Sequence, residues 1–135
     1  MAKILIIEDQ EPLCSLYKTV LSKFDHQIVF ATTGEAGLQA AADDRPDLIL
    51  LDLILPVMSG SEVALKLRDN GILPDVPLII TTALDEANTQ HIAESLGAAA
   101  ILNKPFSVAD IVESLTRVLN ASPQKSRPAG PVSPQ

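Results

Sequence analysis

Five short apolar runs are spaced along the chain with a helical pattern after each, and this alternation limits the fold more than any other feature. The runs are KILII (3–7), QIVFA (27–31), DLILL (47–51), PLII (77–80) and AAAIL (98–102). Four of them lack strict apolar–polar alternation and are rich in Ile, Leu or Val, as strands covered on both faces would be. The first intervening segment places Leu13, Leu16, Tyr17, Val20, Leu21 and Phe24 at helical spacing, with Pro12 tolerated in the first turn. Thr32 with Glu35, and Ser59 with Glu62, have capping-box spacing at the starts of the second and third helices. The fourth segment, DEANTQHIAESLG, carries a thin stripe through Ile92 and Leu96 and predicts the least firmly packed helix. In the last, Val108, Ile111, Val112, Leu115, Val118 and Leu119 form one stripe behind Ser107 as N-cap.

Strand–helix alternation repeated five times implies parallel strands, right-handed crossovers and helices on both faces. The expected fold is α/β: a doubly wound, flavodoxin-like five-stranded sheet of order 2-1-3-4-5. One domain is expected over residues 1–120. Residues 121–135, rich in proline and without apolar periodicity, read as a disordered tail or linker stub.

The polar residues that interrupt the runs share one location. KILII ends in Glu8-Asp9, DLILL in Asp52, PLII in Thr81-Thr82, and AAAIL in Asn103-Lys104. In a parallel sheet all of them emerge at the carboxyl-end edge, where open α/β sheets bind ligands. Each alone has an ordinary explanation: an acid after a strand caps a helix, a threonine ends a strand, a lysine is solvated. Asp52 resists that explanation, because Leu53, Ile54 and Leu55 prolong the apolar run beyond it, and an unpaired buried carboxylate is costly. The residues after Asp52 are expected to line the wall of a site.

Three carboxylates at one edge repel one another and call for a cation, and an all-oxygen environment favours Mg²⁺ over zinc. The two histidines and one cysteine have no zinc-ligand spacing. A carboxylate beside Mg²⁺ and a lysine can act as nucleophile toward a phosphoryl group. Mg²⁺, an ammonium and a hydroxyl or N–H would then share the charge on its oxygens.

Composition narrows the functional classes. A net charge of −7 and a pI near 4.6 argue against a nucleic-acid-binding surface, and 3% aromatic residues argue against base-stacking platforms. Cys14, the lone cysteine, reads as a small packing residue in a reducing cytoplasm. The apolar stretch in MAKILIIEDQ is too short for a signal-peptide core, and no run approaches a membrane span. A cytoplasmic protein without membrane insertion is expected.

The motifs ILIIEDQ, DLILPVMSG, PLIITTA and GAAAILNKPF, in that order from residue 3 to about 120, resemble the receiver domain of bacterial two-component response regulators. The resemblance implies Asp52 as phospho-acceptor and Mg²⁺ as cofactor, with Glu8, Asp9, Asp52 and the Ile54 backbone carbonyl as ligands. It implies Thr82 as the hydroxyl that closes on the phosphoryl group, Lys104 as its cationic partner, and a cis bond before Pro105. Gly60 matches the family's turn glycine, with Ser59 where an acidic residue is usual. Gln10 replaces a common acid, and Ile101 occupies a position that is usually aromatic, so an aromatic rotamer switch is unavailable. Output is therefore expected through backbone shifts around residues 83–97.

The implied role is a phosphorylation-switched signalling module, not an enzyme acting on a metabolite. It would be fed by a histidine kinase or a histidine phosphotransfer protein and would catalyse only its own phosphorylation and dephosphorylation. The face made by the fourth helix, fifth strand and fifth helix, with His91 exposed on it, is where the family meets a downstream protein, here unknown. Three other roles are compatible with parts of this pattern: the receiver portion of a longer regulator, a phosphorylation-independent adaptor, and a haloacid-dehalogenase-like phosphatase. The last needs a second aspartate two residues after the nucleophile, where this chain has Ile54.

Overall fold

The computed structural model describes residues 2–73, 75–83 and 85–121. The Pro-rich tail expected after residue 120 lies outside the described residues, apart from Ala121, which is the last residue of the fifth helix. Ten elements alternate without exception: β1 (Lys3–Ile7), α1 (Glu11–Leu21), β2 (Gln27–Ala31), α2 (Gly34–Asp43), β3 (Leu48–Asp52), α3 (Gly60–Asp69), β4 (Leu78–Thr82), α4 (Glu86–Leu96), β5 (Ala100–Asn103) and α5 (Val108–Ala121). All strand pairs are parallel, and the sheet order is β2-β1-β3-β4-β5, as expected.

Strand periodicity divides the sheet into two apolar faces. Leu5, Ile7, Ile49, Leu51, Leu78 and Ile80 pack against α2, α3 and α4 through Ala41, Val63, Leu67, Ala93 and Leu96. Ile4, Ile6, Leu48, Leu50 and Ile79 pack against α1 and α5 through Tyr17, Val20, Leu21, Ile111, Leu115 and Val118. Residues Leu48–Leu51 are buried on both faces of the central strand, which accounts for their unbroken hydrophobicity.

Several local expectations are corrected. The start of α2 is capped by Thr33, whose hydroxyl accepts from the Ala36 N–H at 3.0 Å, so Thr32 lies outside the helix and Glu35 closes no box. Phe24 lies beyond the end of α1 and is 41% exposed, and Val108, the first residue of α5, is 48% exposed. Both extend a helical stripe past the turns that the sheet covers. The third and fourth strands run through Asp52 and Thr82 instead of stopping short of them. Ser59 and Ser107 cap as expected, and Ser107 does so reciprocally: its N–H donates to Asp110 at 2.9 Å and its hydroxyl accepts from the Asp110 N–H at 3.1 Å.

Candidate functional site

The carboxyl-end edge of the sheet gathers Glu8, Asp9, Asp52 and Lys104, as strand alternation requires. Glu8 follows Ile4 and Ile6, Asp52 follows Leu48 and Leu50, and Lys104 follows Leu102; those apolar residues all belong to the face covered by α1 and α5. Asp52 is the last residue of β3 and only 3% exposed, and its Cα pairs in register with Thr81 of β4. A buried carboxylate needs partners, and Asp52 has two. Its Oδ2 receives the Lys104 Nζ at 2.9 Å and its Oδ1 accepts the Ile54 N–H at 3.0 Å. Lys104 also lies 3.5 Å from Oε1 of Glu8 and 3.4 Å from Oε1 of Gln10, so one ammonium faces two buried carboxylates.

Backbone contacts hold these groups in place. The Lys104 N–H donates to the Thr82 carbonyl at 2.7 Å, and the Lys104–Pro105 bond is cis, as the resemblance implied. The Glu8 N–H donates to Ala31 at 3.0 Å, and Oε2 of Glu8 accepts from the Gln10 N–H at 3.2 Å. The Gly60 N–H donates to the Leu53 carbonyl at 2.8 Å. A Cβ on Gly60 would overlap the Asp52 carbonyl oxygen and lie 2.5 Å from the Leu53 Cα, so the close approach of α3 to this strand requires glycine.

Ligand atoms of Glu8, Asp9 and Asp52 all lie within 4.8 Å of one another. Two oxygens bound to one Mg²⁺ at 2.0–2.1 Å are separated by at most about 4.2 Å, so a slight contraction would let them share an ion. The donors fit a hard cation: all three are carboxylates, and Oε1 of Glu8 is buried with no hydrogen bond. Three negative charges against one ammonium leave the cluster short of positive charge. Burial, and then the charge of Asp52, push the Glu8 carboxyl up to about 7, against the opposing pull of the Gln10 N–H and Lys104.

The remaining expected residues are placed as follows. Thr82 is fully buried at the end of β4, in register with Asn103, and strand alternation puts it on the face of Leu78 and Ile80. Thr81 is the hydroxyl on Asp52's own face. Ile101 is half-buried on β5, and His91 is exposed on α4. Cys14 is buried, and its thiol contacts the Glu8 carbonyl at 3.5 Å. Leu53 and Leu55 do not line the site as expected. They turn into the core beneath α3, while Ile54 between them is 55% exposed.

Two features of the site had no place in the sequence-based picture. Val57 adopts φ +68°, a left-handed conformation unfavourable for a β-branched residue, with its side chain fully in solvent. The Tyr17 hydroxyl is buried on the Glu8 side of the sheet without a hydrogen bond of good geometry. Helical spacing marked Tyr17 as buried, but not where its hydroxyl would point.

Among the described residues no helix is long and apolar enough to cross a membrane. The chain is 32% identical over 120 residues to the alkaline phosphatase synthesis transcriptional regulatory protein PhoP of Bacillus subtilis, a match covering 89% of this chain and 49% of that protein. It is 31% identical over 116 residues to the polar-differentiation response regulator DivK of Brucella anthropi, covering 86% of this chain and 94% of DivK. The chain thus spans about half the length of the first curated relatives it matches and nearly all of DivK. Among solved structures, it is similar to the receiver domain of the sensor histidine kinase PA1611 from Pseudomonas aeruginosa, determined with a magnesium ion coordinated in its active-site cleft. That match has a TM-score of 0.80 and 25% identity, and covers 89% of this chain and 98% of that one. The family model for the response regulator receiver domain matches residues 4–116, and with the sheet order and the relatives already described, this chain belongs to that family of two-component signalling domains.

Proposed function

We propose that this receiver domain is a switch thrown by phosphorylation of Asp52, with a histidine kinase or a histidine phosphotransfer protein as donor. The observation that carries the reading is the Asp52–Lys104 contact at 2.9 Å beside carboxylates close enough to share a cation. An Asp52 carboxylate oxygen attacks the phosphorus of a phosphohistidine. The N–P bond breaks, and its electron pair leaves on the imidazole nitrogen. Lys104 compensates the charge of the incoming phosphoryl group, and the Ile54 N–H, already 3.0 Å from Oδ1, orients the nucleophile. Glu8, Asp9, Asp52 and the Ile54 carbonyl would hold Mg²⁺, which, when bound, neutralises phosphoryl and carboxylate charge. Hydrolysis by water returns Asp52 to its free form, so the domain promotes its own phosphorylation and dephosphorylation without turning over a metabolite.

Thr82 closes on the phosphoryl group as β4 rearranges. With Ile101 on β5, the change passes through the backbone of residues 83–97 to the face formed by α4, β5 and α5, where a downstream protein binds. Backbone NMR with and without a phosphoryl mimic tests this route, and unchanged resonances in that segment would remove it. In this reading the domain works in the cytoplasm, alone or as the receiver of a longer regulator; the half-length matches to PhoP and similar regulators favour considering the second arrangement. The decisive measurement is intact mass after incubation with Mg²⁺ and acetyl phosphate. One phosphoryl group is expected, absent in Asp52→Asn and absent with chelator. An unmodified wild-type protein would favour a phosphorylation-independent adaptor.

A further inference from the structure

Gln10 is the N-cap of α1, a position whose side chain commonly bonds the first turn of its helix, yet its amide makes no capping bond. Its backbone is fixed all the same. The Gln10 N–H donates to Oε2 of Glu8 at 3.2 Å, and its carbonyl accepts from the N–H groups of Leu13 and Cys14, each at 3.1 Å. From that anchored root the side chain reaches a residue 94 positions along the chain: its Oε1 accepts from the Lys104 Nζ at 3.4 Å. Lys104 is held by its backbone to Thr82, but its ammonium ends a flexible four-carbon stem. The other oxygens near that ammonium are Oδ2 of Asp52 at 2.9 Å and Oε1 of Glu8 at 3.5 Å, both on buried carboxylates. Gln10 is exposed, so its uncharged oxygen meets the ammonium at the rim of the site.

An ammonium has three N–H donors, and these three oxygens match them in number. The two buried carboxylates pull the ammonium inward, and the Gln10 oxygen draws it toward the open side, from which a phosphodonor must enter. We propose that Gln10 is a positioning residue for phosphoryl transfer: its amide oxygen holds the Lys104 ammonium at the mouth of the site, ready for the oxygens of the incoming group. Gln10 acts through Lys104 and needs no contact with the phosphoryl group. An amide does this without adding a fourth negative charge to those of Glu8, Asp9 and Asp52. This role rests on the reading of Asp52 as phospho-acceptor and of Lys104 as the cation that meets the phosphoryl group.

Two measurements on the full chain test it. Gln10→Met keeps the length of the side chain and removes the acceptor, whereas Gln10→Glu keeps an acceptor oxygen at the same reach. The first measurement is hydrogen exchange of the Lys104 ammonium with water, followed by NMR of nitrogen-labelled lysine in chelator and without phosphodonor. The Lys104 signal is assigned by its loss in Lys104→Arg. Exchange is expected to quicken about 5-fold in Gln10→Met and to stay at or below the wild-type rate in Gln10→Glu. The second is the maximal rate of phosphoryl incorporation at saturating acetyl phosphate and Mg²⁺. It is expected to fall about 3–10-fold in Gln10→Met and to stay within about twofold of wild type in Gln10→Glu. Wild-type exchange in Gln10→Met overturns the proposal, as does a wild-type maximal rate in that variant, or a Gln10→Glu protein as slow as Gln10→Met. A wild-type protein that takes up no phosphoryl group overturns the Asp52 reading and the positioning role with it. The exchange measurement needs no phosphodonor, so it distinguishes that failure from the absence of the Gln10–Lys104 contact.

Discussion

Replacing Glu8 with glutamine removes a charge from a buried acidic site while keeping nearly the same shape, and the effect on stability can be worked out with its sign. Glu8 is 1% exposed, and its carboxyl is raised from 4.5 to about 7 by burial and by Asp52. A carboxyl with a higher pKa in the folded state binds its proton more tightly there than in the unfolded chain. That contribution is fully present below about pH 4.5 and is lost as pH rises through about 7. Integrating between the two pKa values gives a loss on the order of 2–3 kcal/mol from pH 5 to pH 8. For a domain of this size that is roughly 10 °C in melting temperature.

Glutamine mimics the protonated form and cannot titrate. In chelator, Glu8→Gln should therefore match wild type at pH 5 and exceed it by about that margin at pH 8. Titrating groups remote from Glu8 are common to both proteins and cancel in the difference. Saturating Mg²⁺ should narrow the gap at pH 8, because a bound cation favours the ionised carboxylate that the empty site penalises. Parallel melting curves for the two proteins from pH 5 to pH 8 in chelator would refute the reasoning. Glu8 would then not be the group that destabilises the metal-free site.

Gly60→Ala should destabilise the fold by about 2–3 kcal/mol or more in urea unfolding, because the added methyl meets backbone atoms of Asp52 and Leu53. Any folded fraction should incorporate less phosphate from acetyl phosphate; wild-type stability would show that α3 can back away. Val57→Gly should raise stability by about 1–2 kcal/mol in the same assay, since an exposed side chain gives nothing back for its left-handed backbone. A loss of stability would mean that Val57 is held by contacts the loop needs. Thr33→Ala should cost about 1 kcal/mol and Thr32→Ala much less by thermal unfolding, and the reverse order would restore Thr32 as the cap.

The sheet and the position of its site could be read from the sequence because two periodicities agreed. The apolar runs were too uniform for half-exposed strands, and each stopped at a polar residue on the same edge. Asp52 was legible for a related reason: nothing apolar around it could accommodate a charge, so the charge had to serve the site. Other features depended on where chain segments meet in three dimensions. Phe24 and Val108 continue a helical stripe, but burial also depends on where the sheet ends. Thr32 and Thr33 are chemically equivalent caps, and only the path of the chain from β2 into α2 selects the second. Leu53, Ile54 and Leu55 are equally apolar, yet the turn toward Gly60 sends two inward and one out. Val57 carries no mark of a left-handed residue because the usual sign would be a glycine. The motif match sets Thr82 apart from Thr81, and the register of β4 against β3 adds that Thr81 is the one paired with Asp52.

Tyr17 is the only tyrosine in the chain, and there is no tryptophan. The protein's tyrosine emission therefore comes from a single ring, locked in the core layer beneath Asp52 and Glu8. Carboxylates near a phenol alter its light output, so events at the acidic edge can be followed in the unlabelled, unmodified chain. What packing placed under the site is also a built-in optical gauge of that site, free of background from any other residue of its kind.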